Sequence, residues 1–147
     1  MDNIQHSQGP PAPLRRRDAN RRWAIAFGGM FLAGAAAHIV LVATRPAAYN
    51  SFADGSWWPF VAHAWRSVLV PGVQYLIPLL IVFECIVGML ILGRAHRRLG
   101  IAAAIAFNAA LILFGWGFCL WSIPVIALLR RFWHLESKPS PHVDGSA

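Results

Sequence analysis

The sequence predicts an all-α fold: an integral membrane four-helix bundle with spans at about 23–44, 73–92, 98–114 and 117–133 and a short interfacial helix at about 59–70. Three observations carry that prediction. Hydrophobic residues make up 57% of the 147 positions and charged residues only 13%, whereas a soluble domain carries about a quarter charged to solvate its surface. The apolar residues are gathered into long runs. The basic residues, which give a net charge of +7, sit in short clusters beside those runs, where they set membrane orientation and meet anionic headgroups. That placement argues against nucleic acid as a partner and for the lipid bilayer. Four spans with their connections use most of the chain, leaving no room for a separate soluble domain.

Residues 1–22 contain Pro10, Pro11 and Pro13, then Arg15, Arg16, Arg17, Arg21 and Arg22, with no apolar periodicity. They read as a disordered basic cytoplasmic tail preceding a membrane domain at 23–133. Residues 134–147, with Pro139, Pro141 and Gly145, read as a second disordered cytoplasmic tail. The first span has one strongly polar member, His38. Its basic preface and Ala35-Ala36-Ala37 resemble a signal peptide and cleavage site, but the apolar run continues through Val42, too long for a signal core.

The connection at 45–72 is aromatic, with Tyr49, Phe52, Trp57, Trp58, Phe60 and Trp65. Pro59 suits a first helical turn and Pro71-Gly72 a stop. His63, Arg66 and Ser67 share one face of the intervening helix, which is too short to span and belongs in the interface. The second span carries a single charge, Glu84, and Pro78, whose ring removes a helical hydrogen bond and should kink the helix. A basic turn at 93–98 follows.

Residues 99–129 carry no charge at all. One straight helix over them would measure about 46 Å against a hydrocarbon core of about 30 Å. Two short spans broken at Gly115-Trp116-Gly117 fit instead, since glycine permits a tight turn and tryptophan anchors at an interface. Charge parity agrees. With the arginines before the first span, those at 93–98 and Arg130, Arg131 and Lys138 all cytoplasmic, only Arg45 and Arg66 lie outside, which requires an even number of crossings after Arg98.

Polar residues within spans are costly in lipid and are therefore the candidate functional groups. Glu84 lies near the middle of its span, sharing a face with Ile77, Ile81, Gly88 and Ile91, and must face the bundle interior. His38, one turn beyond Gly34, and Asn108, on a small-residue stripe with Gly100 and Ala104, are its candidate partners. By axial rise His38 lies about 6 Å from the outer end of its span, Asn108 about 9 Å and Glu84 about 17 Å. His38 and Asn108 are thus expected to touch, and Glu84 to need side-chain reach, a water or the Pro78 kink. The competing reading is that all three only bond helices together. Asp54, His63 and Arg66 form a candidate outer-mouth cluster, either a lid over the bundle or ordinary interfacial residues. No ligand spacing joins His38, His63 and Glu84 into a metal site. Cys85 and Cys119 sit inside apolar runs at different depths and are expected to be thiols.

The run Pro78-Leu79-Leu80-Ile81-Val82-Phe83-Glu84, then Gly88, Leu90, Leu92, Gly93, a basic turn and an Ala-rich span, resembles the DoxX-like family of small four-helix bacterial membrane proteins. The resemblance covers roughly 71–113, with a looser match at Gly28, Gly29 and His38. It implies a four-helix bundle in a bacterial inner membrane, and places Glu84 in the family motif without a catalytic role. Some relatives are linked to thiosulfate:quinone oxidoreductase. It thus implies an accessory subunit of a quinone-linked or oxidative-stress system, with a membrane protein partner or a second copy of the chain. The residues themselves leave two alternatives: a binder or carrier of a small lipophilic molecule anchored on Glu84, and a purely structural membrane protein. No motif for a cofactor separates them, and catalysis by the chain alone is not expected.

Overall fold

A computed structural model describes residues 12–137, and every regular element among them is helical. Helix α1 spans Ala12–Thr44, and a 3₁₀ segment, Pro46–Ala53, follows it. Helix α2, Pro59–Ala64, continues into a π turn, Trp65–Leu69. Helix α3 spans Val73–Leu92, and α4, Arg97–Leu111, tightens into a 3₁₀ turn at Ile112–Phe114. Helix α5 spans Trp116–Ser137. Four stretches are long and apolar enough to cross a membrane: Asp18–Thr44, Val73–Leu92, Arg97–Phe114 and Trp116–Ser137. Large apolar side chains such as Leu79, Met89, Leu120 and Ile123 point outward from them. Such a surface is stable against lipid and not against water. The chain is an all-α four-helix bundle of a multi-pass membrane protein.

One end of the bundle carries the aromatic connection and the other the basic turn of Arg94, Arg97 and Arg98. Helix α1 packs along α3, α3 along α4 and α4 along α5. The α1–α3 seam is set by two glycines. A Cβ on Gly28 would stand 2.6 Å from Leu92 Cγ and 3.0 Å from the Gly88 carbonyl, and one on Gly88 only 2.9 Å from Leu32 Cγ. Near-backbone contact of this kind holds helices together where no hydrophobic force acts between them. The basic half is solid: Phe27, Phe31, Val87, Ile91, Ile101, Leu129 and Phe132 form a continuous buried core. There Phe132 of α5 stacks on Trp23 and Phe27 of α1, with ring centroids 6.4 and 6.2 Å apart.

Two sequence expectations are corrected. The polar segment expected as a disordered tail up to residue 22 is helical from Ala12 onward. Extending an anchored helix is far easier than nucleating one, and Ala, Leu and Arg are good helix formers. Likewise α5 runs to Ser137, past the expected end at 133. The Arg97 guanidinium explains the extension: Nη1 donates to Glu136 Oε1 at 2.7 Å and Nε to the Ile91 carbonyl at 2.8 Å, joining α3, α4 and α5. Arg98 adds a bond to the Glu136 carbonyl and lies over the Trp133 ring. The remaining parts of both expected tails, residues 1–11 and 138–147, lie outside the described residues. The short helix expected at 59–70 is present, α-helical over Pro59–Ala64 and continuing without a break in the wider π spacing over Trp65–Leu69, with Val70 N–H bonding the Trp65 carbonyl.

The expected break between the last two spans falls at Gly115, which adopts φ 104° and lets α5 begin at Trp116.

Candidate functional site

Between the splayed aromatic halves of the helices lies a cavity of about 970 Å³. Helix α1 contributes Gly34 and His38, α3 Ile77 and Glu84, α4 Phe107 and Asn108, and α5 Phe118 and Trp121. Tyr49, Phe52 and Trp65 from the connection also line it. Leu79 and Trp121 line the cavity while remaining 65% and 55% exposed, so it reaches the flank of the bundle, where acyl chains would lie.

The connection forms a roof through aromatic edges. Phe52 meets Tyr49, Trp65 and Phe118 edge-on, and Phe114 meets Trp65 and Phe118 in the same way. Edge-to-face contacts suit the ring quadrupoles and fix orientation as well as separation. Trp65 Nε1 donates to the Tyr49 carbonyl at 2.7 Å, locking the π turn onto the 3₁₀ segment. Gly115 anchors the other side of the roof. A Cβ there would collide with the Gly55 carbonyl oxygen, so only glycine permits this approach.

Glu84, expected as the central polar residue, is 5% exposed. Its Oε1 lies 3.8 Å from His38 Nε2, a charge-pair distance and not a hydrogen bond, and a Cβ on Gly34 would lie 3.0 Å from the same oxygen. The opposed directions of α1 and α3 account for the approach. Side chains on a helix tilt toward its N-terminus. His38 therefore leans toward the basic end and Glu84 toward the aromatic end, closing the axial gap from both sides. Among the described residues Oε2 of Glu84 has no hydrogen-bond partner.

His38 does not touch Asn108 as expected. Its Nδ1 is 2.8 Å from the Tyr49 hydroxyl, and the two rings stack. Tyr49 is almost fully buried. Burial pushes its phenol above the ordinary value and Glu84 adds to the shift, so the hydroxyl keeps its proton and can donate. The contact runs either way: the phenol accepts from Nδ1–H, or it donates to Nδ1, in which case the imidazole proton is on Nε2, the nitrogen on the Glu84 side. Asn108 instead donates from Nδ2 to the Ala104 carbonyl at 2.9 Å, leaving Oδ1 buried and without a partner.

Asp54 and Arg66 of the expected outer-mouth cluster form an exposed ion pair at 2.8 Å. Neither lines the cavity, and nor does His63, whose carbonyl accepts from Ser67 Oγ. The pair links the end of the 3₁₀ segment to the π turn. Cys85 and Cys119 are both free thiols.

Sequence reading missed two members of this site. Tyr49 was one aromatic among many in a loop, and only its alignment with His38 distinguishes it. Gly34 was noted as a neighbour of His38, not as the gap that receives the Glu84 carboxyl.

Fold and site together define a multi-pass membrane protein with an apolar cavity lined by a few polar side chains, Glu84, His38, Tyr49 and Asn108. Comparison of the chain with protein-family models, curated proteins and solved structures found no match.

Proposed function

We propose that the protein binds or carries a small lipophilic molecule, held in the cavity by its apolar body and by a polar head against Glu84, His38 and Asn108. The observation that supports this most directly is the pair of unpartnered buried oxygens, Glu84 Oε2 and Asn108 Oδ1, on residues that line the cavity. An unmet buried acceptor costs about 1–3 kcal/mol, which a ligand that donates to it recovers. If the residues served only to bond helices together, their acceptors would meet other helices. The volume suits a molecule of ordinary drug or cofactor size. Access from the flank suits a ligand that partitions into lipid.

The test is mass spectrometry of organic extracts from the purified protein and from Glu84→Ala. Under this reading a discrete small lipophile is enriched in the wild type and falls at least about fivefold in the variant, as a tenfold loss needs only about 1.4 kcal/mol. Extracts that hold bulk bilayer lipids alone, in equal proportion, would overturn it.

The resemblance of roughly 71–113 to the DoxX-like family supports a second reading, an accessory subunit of a quinone-linked or oxidative-stress system in a bacterial inner membrane. The feature that favours it is Glu84, which belongs both to the family motif and to the cavity wall. Co-purification of the chain with a redox membrane complex tests it.

A further inference from the structure

We propose that the molecule held in the cavity is a lipophilic organic amine, its ammonium group set against Glu84 Oε2 and Asn108 Oδ1 and its apolar body against the aromatic walls. This assignment rests on the binding reading above and adds the chemical class of the ligand.

Three features point to that class. Both unpartnered polar atoms are oxygens, and Asn108 spends its amide nitrogen on the Ala104 carbonyl, so the wall offers acceptors. The ligand must supply the donors. Second, no fixed positive charge among the described residues faces the Glu84 carboxyl in the cavity. Among the described residues no lysine or arginine lines the cavity, and the titratable side chains that do are Glu84, His38 and Tyr49. His38, with Tyr49 at Nδ1, faces Oε1 only from 3.8 Å and leaves Oε2 unmatched. Third, nine of the twenty-one lining residues are Phe, Tyr or Trp. Aromatic faces attract a desolvated cation, and the attraction strengthens where water is excluded.

Other lipophiles satisfy only part of this set. A fatty acid or acidic headgroup would place like charge beside Glu84. A neutral alcohol supplies a donor but no counter-charge, leaving a buried carboxylate unpaired. A quaternary ammonium supplies charge and no donor. A protonated primary or secondary amine supplies both.

The experiment uses the full chain in lipid nanodiscs, with empty nanodiscs as the blank for partitioning. Phenylbutylamine, phenylbutanol and butylbenzene, nearly matched in shape, are measured by equilibrium dialysis at neutral pH. The amine should bind at least about tenfold more tightly than the alcohol, the scale of a desolvated ion pair with cation–π support. Glu84→Gln should bring the amine down to the affinity of the alcohol. Glu84→Asp, which keeps the charge, should preserve a preference for the amine. Equal binding of amine and alcohol by the wild type would overturn the amine assignment and leave the lipophile reading standing. A preference unchanged in Glu84→Gln would overturn the role of Glu84 as anchor. Binding of none of the three above the blank would overturn the lipophile reading itself.

Discussion

At the scale of single residues, the polar wall is a set of groups held apart. Glu84 and His38 approach without bonding, and Asn108 turns back to its own helix. Glu84→Gln should therefore fold normally and, by thermal melting in detergent, be as stable as the wild type or slightly more so, since it removes a buried ionisable group. A fall of more than about 1 kcal/mol would make the carboxylate a structural bond, because interhelical hydrogen bonds in bilayers are worth about that much. Gly34→Ala tests the same spot differently. Its methyl would stand 3.0 Å from Glu84 Oε1, displacing the carboxyl while improving helix propensity. Thermal stability should hold and amine binding should weaken several-fold; unchanged binding would place the ligand elsewhere. Glu84 was legible in the sequence because a charge inside a span has few explanations. Its approach to His38 was legible only in part. Axial counting locates Cα atoms, and the missing information was the opposed tilt of side chains on antiparallel helices.

The elements were legible where apolar content defined them and illegible where something else did. Span α3 begins and ends where expected because its run is bounded by Gly72 and Gly93. The helical stretch before Trp23 carries no apolar signal, and its helicity continues that of the span behind it. The 3₁₀ segment Pro46–Ala53 and the π turn Trp65–Leu69 owe their shapes to long-range contacts, Tyr49 with His38 and Trp65 with the Tyr49 carbonyl. No local rule encodes those contacts. The break at Gly115 was legible as a glycine break, though not which glycine turns. Its φ of 104° and the Gly55 carbonyl pressed against it make the position specific for glycine. Gly115→Ala should cost about 1–3 kcal/mol of backbone strain alone, with a lowered melting temperature in detergent. Gly29→Ala is the control. A Cβ there meets nothing within 4 Å, so melting should be unchanged or raised, by about 0.5–1 kcal/mol of helix propensity.

For the whole molecule, the distribution of basic residues predicts that the Arg94–Arg98 end is cytoplasmic. A membrane-impermeant maleimide applied to intact cells should label Asn50→Cys, and should label Ala95→Cys only after the membrane is opened. The reverse pattern would invert the orientation; labelling of both from outside would contradict four spans. The native Cys85 and Cys119 lie within the spans and are not exposed. The bundle is also unequal along its length. Rings and an arginine fork tie the basic half together, while the aromatic half surrounds empty volume. In mechanical terms, the stack of Trp23, Phe27 and Phe132 is a fulcrum and α5 a lever arm. From Phe132 to Trp116 the helix measures about 24 Å at 1.5 Å per residue, so a tilt of about 5° at that fulcrum would move the far end by about 2 Å. A small rotation about the tight end would thus be felt least in the buried core and most at the cavity end.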